Sequence, residues 1–229
     1  DSIRQQTAIT ARERIAQPSP KVLTPNISPD AWNLLANVCA HPFLGIRSRC
    51  KAMKISSRRI EAAIQELLQR QLIAALSVPL GNYRPVKFLI PTEPALNVLR
   101  NVRHDVGLWK RIGNAGFEHA LYQVLTAYSF RRKGYEAWIE KEIANGRRLD
   151  VLVVVGRKRI GVEIELTTTD VERKLIGVEE LDRLIILAKD DKLKQAFEKT
   201  AEQLAVRGKL DIFTAGEFLR KMSRRNSSG

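Results

Sequence analysis

Two cysteines among 229 residues, Cys39 and Cys50, are too few to staple a fold, and neither has the partners a zinc site would need. Both lie in apolar helical stretches, which points to thiols in a reducing compartment and makes the cytoplasm the expected location. Aromatic residues are scarce at 6%. Trp32, Trp109 and Trp138 are scattered and read as packing residues, not as a platform for stacked bases. No apolar run approaches the roughly 18 residues of a membrane-spanning helix, so no membrane partner of that kind is expected. His41 and His119 stand without ligand partners at metal spacing and read as surface or boundary residues. No glycine-rich phosphate cradle occurs, so ATP and dinucleotide binding are not indicated. The threonine run 167–169 has no His–acid company that would make it a nucleophile. The opening Asp1-Ser2-Ile3-Arg4 carries neither an initiator Met nor a secretory pattern and reads as the start of a piece of something longer.

Acid is in short supply too. There are 25 Asp plus Glu against 39 Lys plus Arg, a formal net charge of +14 and a pI of about 10.1. A surplus of this size points to a polyanion, nucleic acid first and an anionic surface second. Hydrophobic residues at 44% are enough for a proper core, and the length suits one or two domains.

Residues 1–27 read as an arm, a short helical stretch broken by Pro18, Pro20 and Pro25. Ser28-Pro29-Asp30 is a helix start, with a capping hydroxyl, proline at the first helical position and an early acid. Trp32, Leu35, Val38 and Cys39 follow at helical spacing until His41-Pro42. A short helix is predicted over 46–53. A third, capped by Ser56 or Ser57, carries Ile60, Ala63, Ile64, Leu67 and Leu68 at i, i+3, i+4, i+7 and i+8. Strands over 72–78 and 86–90 flank a turn-rich loop, and Thr92-Glu93-Pro94 opens another helix to about 102. Arg47, Arg49, Lys51, Lys54, Arg58 and Arg59 occur with no acid between Pro42 and Ile60. They crowd the second helix, the turn and the N-terminal end of the third, where free N–H groups and the helix dipole favour phosphate.

Three helices followed by a hairpin in residues 28–102 resemble a winged helix-turn-helix domain, an α+β module that binds DNA. The resemblance implies duplex contacts from Arg47, Arg49, Lys51, Lys54, Ser57, Arg58 and Arg59, with Arg84 and Lys87 on or beside the wing.

Residues 103–115 read as a linker, with Gly107 and Gly113-Asn114 as breaks. Beyond it, 116–222 read as a helix, three meandering strands and then alternating helix and strand. That order makes an α/β sandwich on a mixed central sheet, followed by a disordered tail over 223–229. The strands fall at 135–142, 149–155 and 160–166, with a tight turn at 156–159 between the last two. A helix at about 170–180, a strand at 184–187, a helix at 193–206, a strand at 210–213 and a helix at 215–222 follow.

On the third strand of this meander, Glu163 and Glu165 share a face because side chains alternate. Two like charges roughly 7 Å apart on an apolar sheet need solvent, cations or a metal beside them. Asp150 opens the neighbouring strand, and Glu118 lies at the edge of the apolar face of the preceding helix. A helix with an acid, a strand with Asp, then a strand with Glu-X-acid resembles the PD-(D/E)XK nuclease superfamily, whose members include restriction endonucleases. The resemblance implies that Glu118, Asp150 and Glu163 hold Mg²⁺ or Mn²⁺ and that Asp150, Glu163, Glu165 and Lys174 carry hydrolysis of a phosphodiester. The family usually has Lys where this chain has Glu165; Lys174, on the helix expected to follow, could reach back in its place. Many nucleases of this type act as homodimers. The chain is also similar to plasmid replication-relaxation and mobilisation proteins, which join a winged helix to such a domain in the same order.

Three functional readings therefore stand at the level of sequence: a metal-dependent DNA endonuclease, a non-catalytic DNA-binding factor of replication, plasmids or mobile elements, and an adaptor in a larger DNA-processing complex. A plainer account of the acids is a solvated strand face paired with Arg147, Arg148 or Arg173.

Overall fold

The computed structural model describes residues 26–80, 84–109, 112, 116–143, 146–167, 180–203 and 207–224. The arm up to residue 25, the wing tip at 81–83, the helix expected before Glu180 together with Lys174 and Arg173, and the tail from 225 lie outside the described residues.

Helix α1 (Pro29–Ala40) starts as its sequence dictates: Ser28 Oγ accepts from Ala31 N–H at 3.2 Å, and Pro29 occupies the first turn. Its buried stripe is Ala31, Leu34, Leu35, Val38 and Cys39. Helix α2 (Ile46–Met53) ends at Lys54, which turns left-handed at φ 54°. Helix α3 (Ser57–Gln69) is capped by Ser56, whose hydroxyl accepts from Arg59 N–H at 3.3 Å, and it buries Ile60, Ala63, Ile64 and Leu67. Strands β1 (Ile73–Val78) and β2 (Val86–Pro91) form an antiparallel pair, from Ile73 opposite Pro91 to Val78 opposite Val86. Helix α4 (Glu93–Asn101) closes this half.

The second half opens with α5 (Phe117–Arg131) and a five-stranded mixed sheet in the order β3 (Glu136–Glu142), β4 (Arg148–Val155), β5 (Lys158–Glu165), β6 (Arg183–Ala188), β7 (Leu210–Thr214). The first three strands meander antiparallel; β6 and β7 then add parallel to β5. Helices α6 (Asp191–Gln203) and α7 (Ala215–Arg224) complete the chain. The fold is thus mixed α/β. The β4–β5 turn is tighter than the expected four residues: Val155 pairs with Lys158, leaving only Gly156-Arg157 at the corner. Gly156 takes φ 62°, the conformation that glycine supplies at the first corner of a tight hairpin.

Each sheet face packs against different helices. Val151, Val153, Val162, Ile164, Ile185 and Leu187 join the cluster that contains Leu121 and Ala127 of α5 and Phe218 of α7. Leu149, Leu152, Leu184, Ile186 and Ala188 join Leu193, Phe197 and Ala201 of α6. The first cluster also runs without a break into α1, α3 and the hairpin. Phe117 stacks on Trp109 (centroids 6.0 Å) and meets Phe43 and Phe88 at 5.6 Å each. Trp109 Nε1–H donates to Cys39 O at 3.1 Å, and Tyr122 O–H to Pro79 O at 3.0 Å. Val106, Trp109 and Ile112, in the stretch read as a linker, are therefore buried in the core.

Candidate functional site

Of the cations expected to meet DNA, Arg47 and Lys51 on α2, Lys54 at its end, and Arg58 on α3 are exposed, as is Ser57. On the hairpin, Arg84 and Lys87 are exposed as well. Arg47, Arg84 and Lys87 line one open groove of about 620 Å³. Its other walls are mainly apolar, from Phe43, Ile46, Leu80, Val86, Phe88, Leu121 and Leu125, with no carboxylate among the lining residues. The start of α2 lies hard against β2 here: a Cβ on Gly45 would stand 3.1 Å from a Val86 methyl.

Two of the expected contacts behave differently. Arg49 is wholly buried, and so is corrected from a DNA contact to a structural residue. Its guanidinium donates to Asn37 O and Oδ1 at 2.9 and 2.8 Å, to His41 O at 2.9 Å and to Leu44 O at 3.0 Å. These are carbonyls at and just beyond the C-terminal end of α1, where a cation complements the helix dipole. Burial pulls its pKa down to about 10, against a small upward pull from Cys39, so it stays charged at neutral pH. Arg59 is exposed but forks onto Asp30, Nε and Nη2 donating at 2.8 and 2.6 Å, and this bond raises its pKa. Its charge is largely offset within the protein.

The acids do not assemble as expected. Gly161, Glu163 and Glu165 share a face, as alternation requires; a Cβ on Gly161 would meet Leu181 and Leu149, so that face is the one covered by α6. In the parallel pairing Glu163 lies beside Ile186 and Glu165 beside Ala188, both of the same cluster. Both glutamates are buried, at 6% and 2% exposed. Glu163 receives Arg147 Nη2–H at 2.8 Å, an ion pair with little solvent.

Asp150 turns toward α5 instead. Its carboxylate lies 3.2 Å from His119 Nε2 and accepts from Gln123 Nε2 at 3.1 Å and from Ile164 N–H at 2.7 Å. The last bond takes a ladder donor of β5, so the side chain stands in for strand pairing at the end of the β4–β5 register. Burial pushes the Asp150 pKa up, but His119, the Ile164 amide and Gln123 together outweigh it and hold the carboxyl below its usual range. Glu118, also on α5, lies 3.7 Å from Lys189 Nζ. Its charge adds to burial in raising the pKa of Tyr122.

Glu118 and Asp150 thus belong to the α5 side and Glu163 and Glu165 to the α6 side. Among the described residues, no group of three or more His, Cys, Asp or Glu side chains could hold a metal ion. Each expected metal ligand has a protein partner: Lys189 for Glu118, the His119–Gln123–Ile164 set for Asp150, and Arg147 for Glu163. The set does not fit a shared Mg²⁺ or Mn²⁺, whose hard-oxygen coordination needs carboxylates converging on one point.

Sequence reasoning missed His119 and Gln123 as partners of Asp150, whereas Arg147, named there as a partner for the acids of β5, does pair with Glu163, in a buried setting and not on a solvated face. A signal was present for the first two: positions 119 and 123 are i, i+4 on α5, so they can grip one carboxylate from the same helix face. No protein-family model, no curated protein and no solved structure matches this chain.

Proposed function

We propose that the chain is a DNA-binding protein whose N-terminal helices and hairpin work as a winged helix-turn-helix on duplex DNA, carried by a nuclease-like α/β half that does not hydrolyse it. The observation that carries this reading is the shared groove: Arg47 from α2 stands with Arg84 and Lys87 from the hairpin, and among the described residues no acid lines the groove. A helix and a wing gripping one backbone need cations on both elements, facing a common cleft. Lys51, Lys54 and Arg58 extend the positive surface along α2 and onto the positive end of α3. Ser57, in the first turn of α3, adds a hydroxyl donor. Arg49 supports the surface from inside by locking α2 onto the end of α1.

The catalytic alternative is weakened by where the acids lie. Carboxylates divided between two faces of a sheet, each held by its own protein donors, are arranged for stability. The role that remains is that of a replication, plasmid or mobile-element factor which recognises DNA and leaves bond-breaking to others.

The test is fluorescence anisotropy with a blunt duplex across a salt series. Affinity should fall steeply with salt, and Arg58→Ala and Arg84→Ala should each reduce the log–log slope by about one, the loss of one phosphate contact. Unchanged affinity and slope in both variants would refute the assignment. Supercoiled plasmid with Mg²⁺ or Mn²⁺ should stay uncut. Nicking by the wild type that disappears in Asp150→Ala would restore the hydrolase.

A further inference from the structure

We infer that the groove between α2, the hairpin and α5 receives an unpaired nucleic-acid strand, so that the protein prefers a duplex carrying a single-stranded tail over a blunt one. The inference rests on the DNA-binding reading and names the substrate class within it. A winged helix gripping plain duplex needs cations against phosphate but has no use for an apolar hollow, because base pairs stay stacked and hide their faces. Here the cations Arg47, Arg84 and Lys87 line a groove whose walls are otherwise mainly hydrocarbon and include the half-buried ring of Phe43. Leu125, half-buried on α5, adds to the apolar lining. The volume of about 620 Å³ falls within the ~300–1,000 Å³ of ordinary small-ligand sites, large enough for the bases of a short unpaired segment beside the cations.

An apolar lining with cations beside it matches one ligand chemistry especially well: unstacked bases against the hydrocarbon, with their phosphates on the guanidinium and ammonium groups. The absence of any carboxylate among the lining residues favours an anionic occupant, and the protein's net charge of +14 points the same way. An acidic peptide with leucine or phenylalanine anchors presents a comparable charge. Nucleic acid is favoured because the same three cations are the ones placed to grip duplex on either side of the cleft, so a strand leaving a duplex end would enter the groove without a change of register.

Fluorescence anisotropy with the full chain tests this on four labelled probes: a blunt duplex, the same duplex with an unpaired tail of each polarity, and an unrelated acidic amphipathic peptide. The tailed duplex should bind about fivefold or more tightly than the blunt one, the low end of what one base packed against a ring such as Phe43 contributes. Leu125→Trp, which narrows the groove, and Leu125→Gln, which makes part of its wall polar, should both reduce that preference at least twofold and leave blunt-duplex affinity within about twofold. Thermal melts confirm that each variant is folded; two changes of opposite character at one half-buried position guard against a single misfolded protein deciding the outcome. Equal affinity for tailed and blunt duplex in the wild type, with blunt binding intact, overturns the tail inference and leaves the DNA-binding reading standing. Loss of binding to every DNA probe overturns both. Peptide binding that Leu125→Trp removes, with no tail preference, assigns the groove to a protein ligand and overturns the inference as well.

Discussion

Arg49→Met separates a cation that builds the fold from cations that meet a ligand. The wild-type guanidinium makes four hydrogen bonds of 2.8–3.0 Å, three of them to main-chain carbonyls and one to the Asn37 side chain. Bonds to a charged donor contribute roughly 1.5–3 kcal/mol each, which would sum to about 6–12 kcal/mol if none were replaced. Two effects reduce that figure. The acceptors are only part-buried, so water can reach some of them once the side chain is gone, and methionine escapes the burial cost visible in the depressed pKa of Arg49. A loss of about 3–5 kcal/mol remains, the range found when one partner of a buried charged network is removed. For a chain of this length that lowers Tm by roughly 6–20 °C. Calorimetry measures the loss, and the anisotropy salt series measures the DNA side. At a temperature where the variant is folded its salt slope should equal that of the wild type, whereas Arg58→Ala should keep its Tm and lose slope. An Arg49→Met protein with unchanged Tm and a reduced slope would refute the reasoning and return Arg49 to the proposed DNA-contact surface.

Two further outcomes concern the acids. Arg147→Met should destabilise by about 3 kcal/mol, because it removes a cation from a nearly buried carboxylate, and adding Glu163→Gln should recover a large part of that loss; additive losses in urea unfolding would show that the pair is not coupled. For Asp150, whose folded-state pKa is depressed, the stabilising contribution is complete above the unfolded value near 3.8 and is lost as pH falls through the lower folded value. Asp150→Asn should therefore be less stable than the wild type at neutral pH, with a gap that narrows below about pH 4; a gap that widens on acidification would reverse the sign argued here.

The elements were largely legible because their signals are local. Ser28-Pro29-Asp30 and Ser56 mark helix starts through cap chemistry, and the 3.6-residue stripe on α3 and the β4–β5 hairpin follow from spacing alone. Arg49 shows where local reading was too quick: Ile46, Arg49, Cys50 and Met53 fall at i, i+3, i+4 and i+7, so the arginine lies on the inward stripe of α2, and only its charge suggested otherwise. The division of the acids is a different matter. Period-two alternation correctly put Glu163 and Glu165 together. Which face Asp150 joins depends on an irregularity in β4, where Leu149 and Leu152 both point to the α6 side although they are three residues apart. Across from it on β3, Glu140 takes φ 51°, between the pairs Ile139–Val151 and Lys141–Leu149. A uniform run of Val and Leu carries no trace of such a shift, so a motif read by spacing placed one acid on the wrong side of the sheet.

The shared core between the halves leads to one last expectation. Phe117 is 8% exposed and Trp109 5%, and both rings sit among residues of the N-terminal half. Burying two such aromatics contributes about 3–6 kcal/mol, a sizeable part of the 5–15 kcal/mol that holds a typical domain together. The N-terminal helices should therefore not open on their own schedule. In native-state hydrogen exchange, the slowest amides of α1 and of β5 should report the same opening free energy, and Phe117→Ala, at about 3–5 kcal/mol, should lower both by equal amounts. If α1 opened at much lower free energy than β5, or if Phe117→Ala weakened only the sheet, the two halves would be separate cooperative units and the groove between them would lack a fixed shape. Equal openings would mean that the exposed cations of α2 and the hairpin and the α/β sheet belong to one cooperative unit.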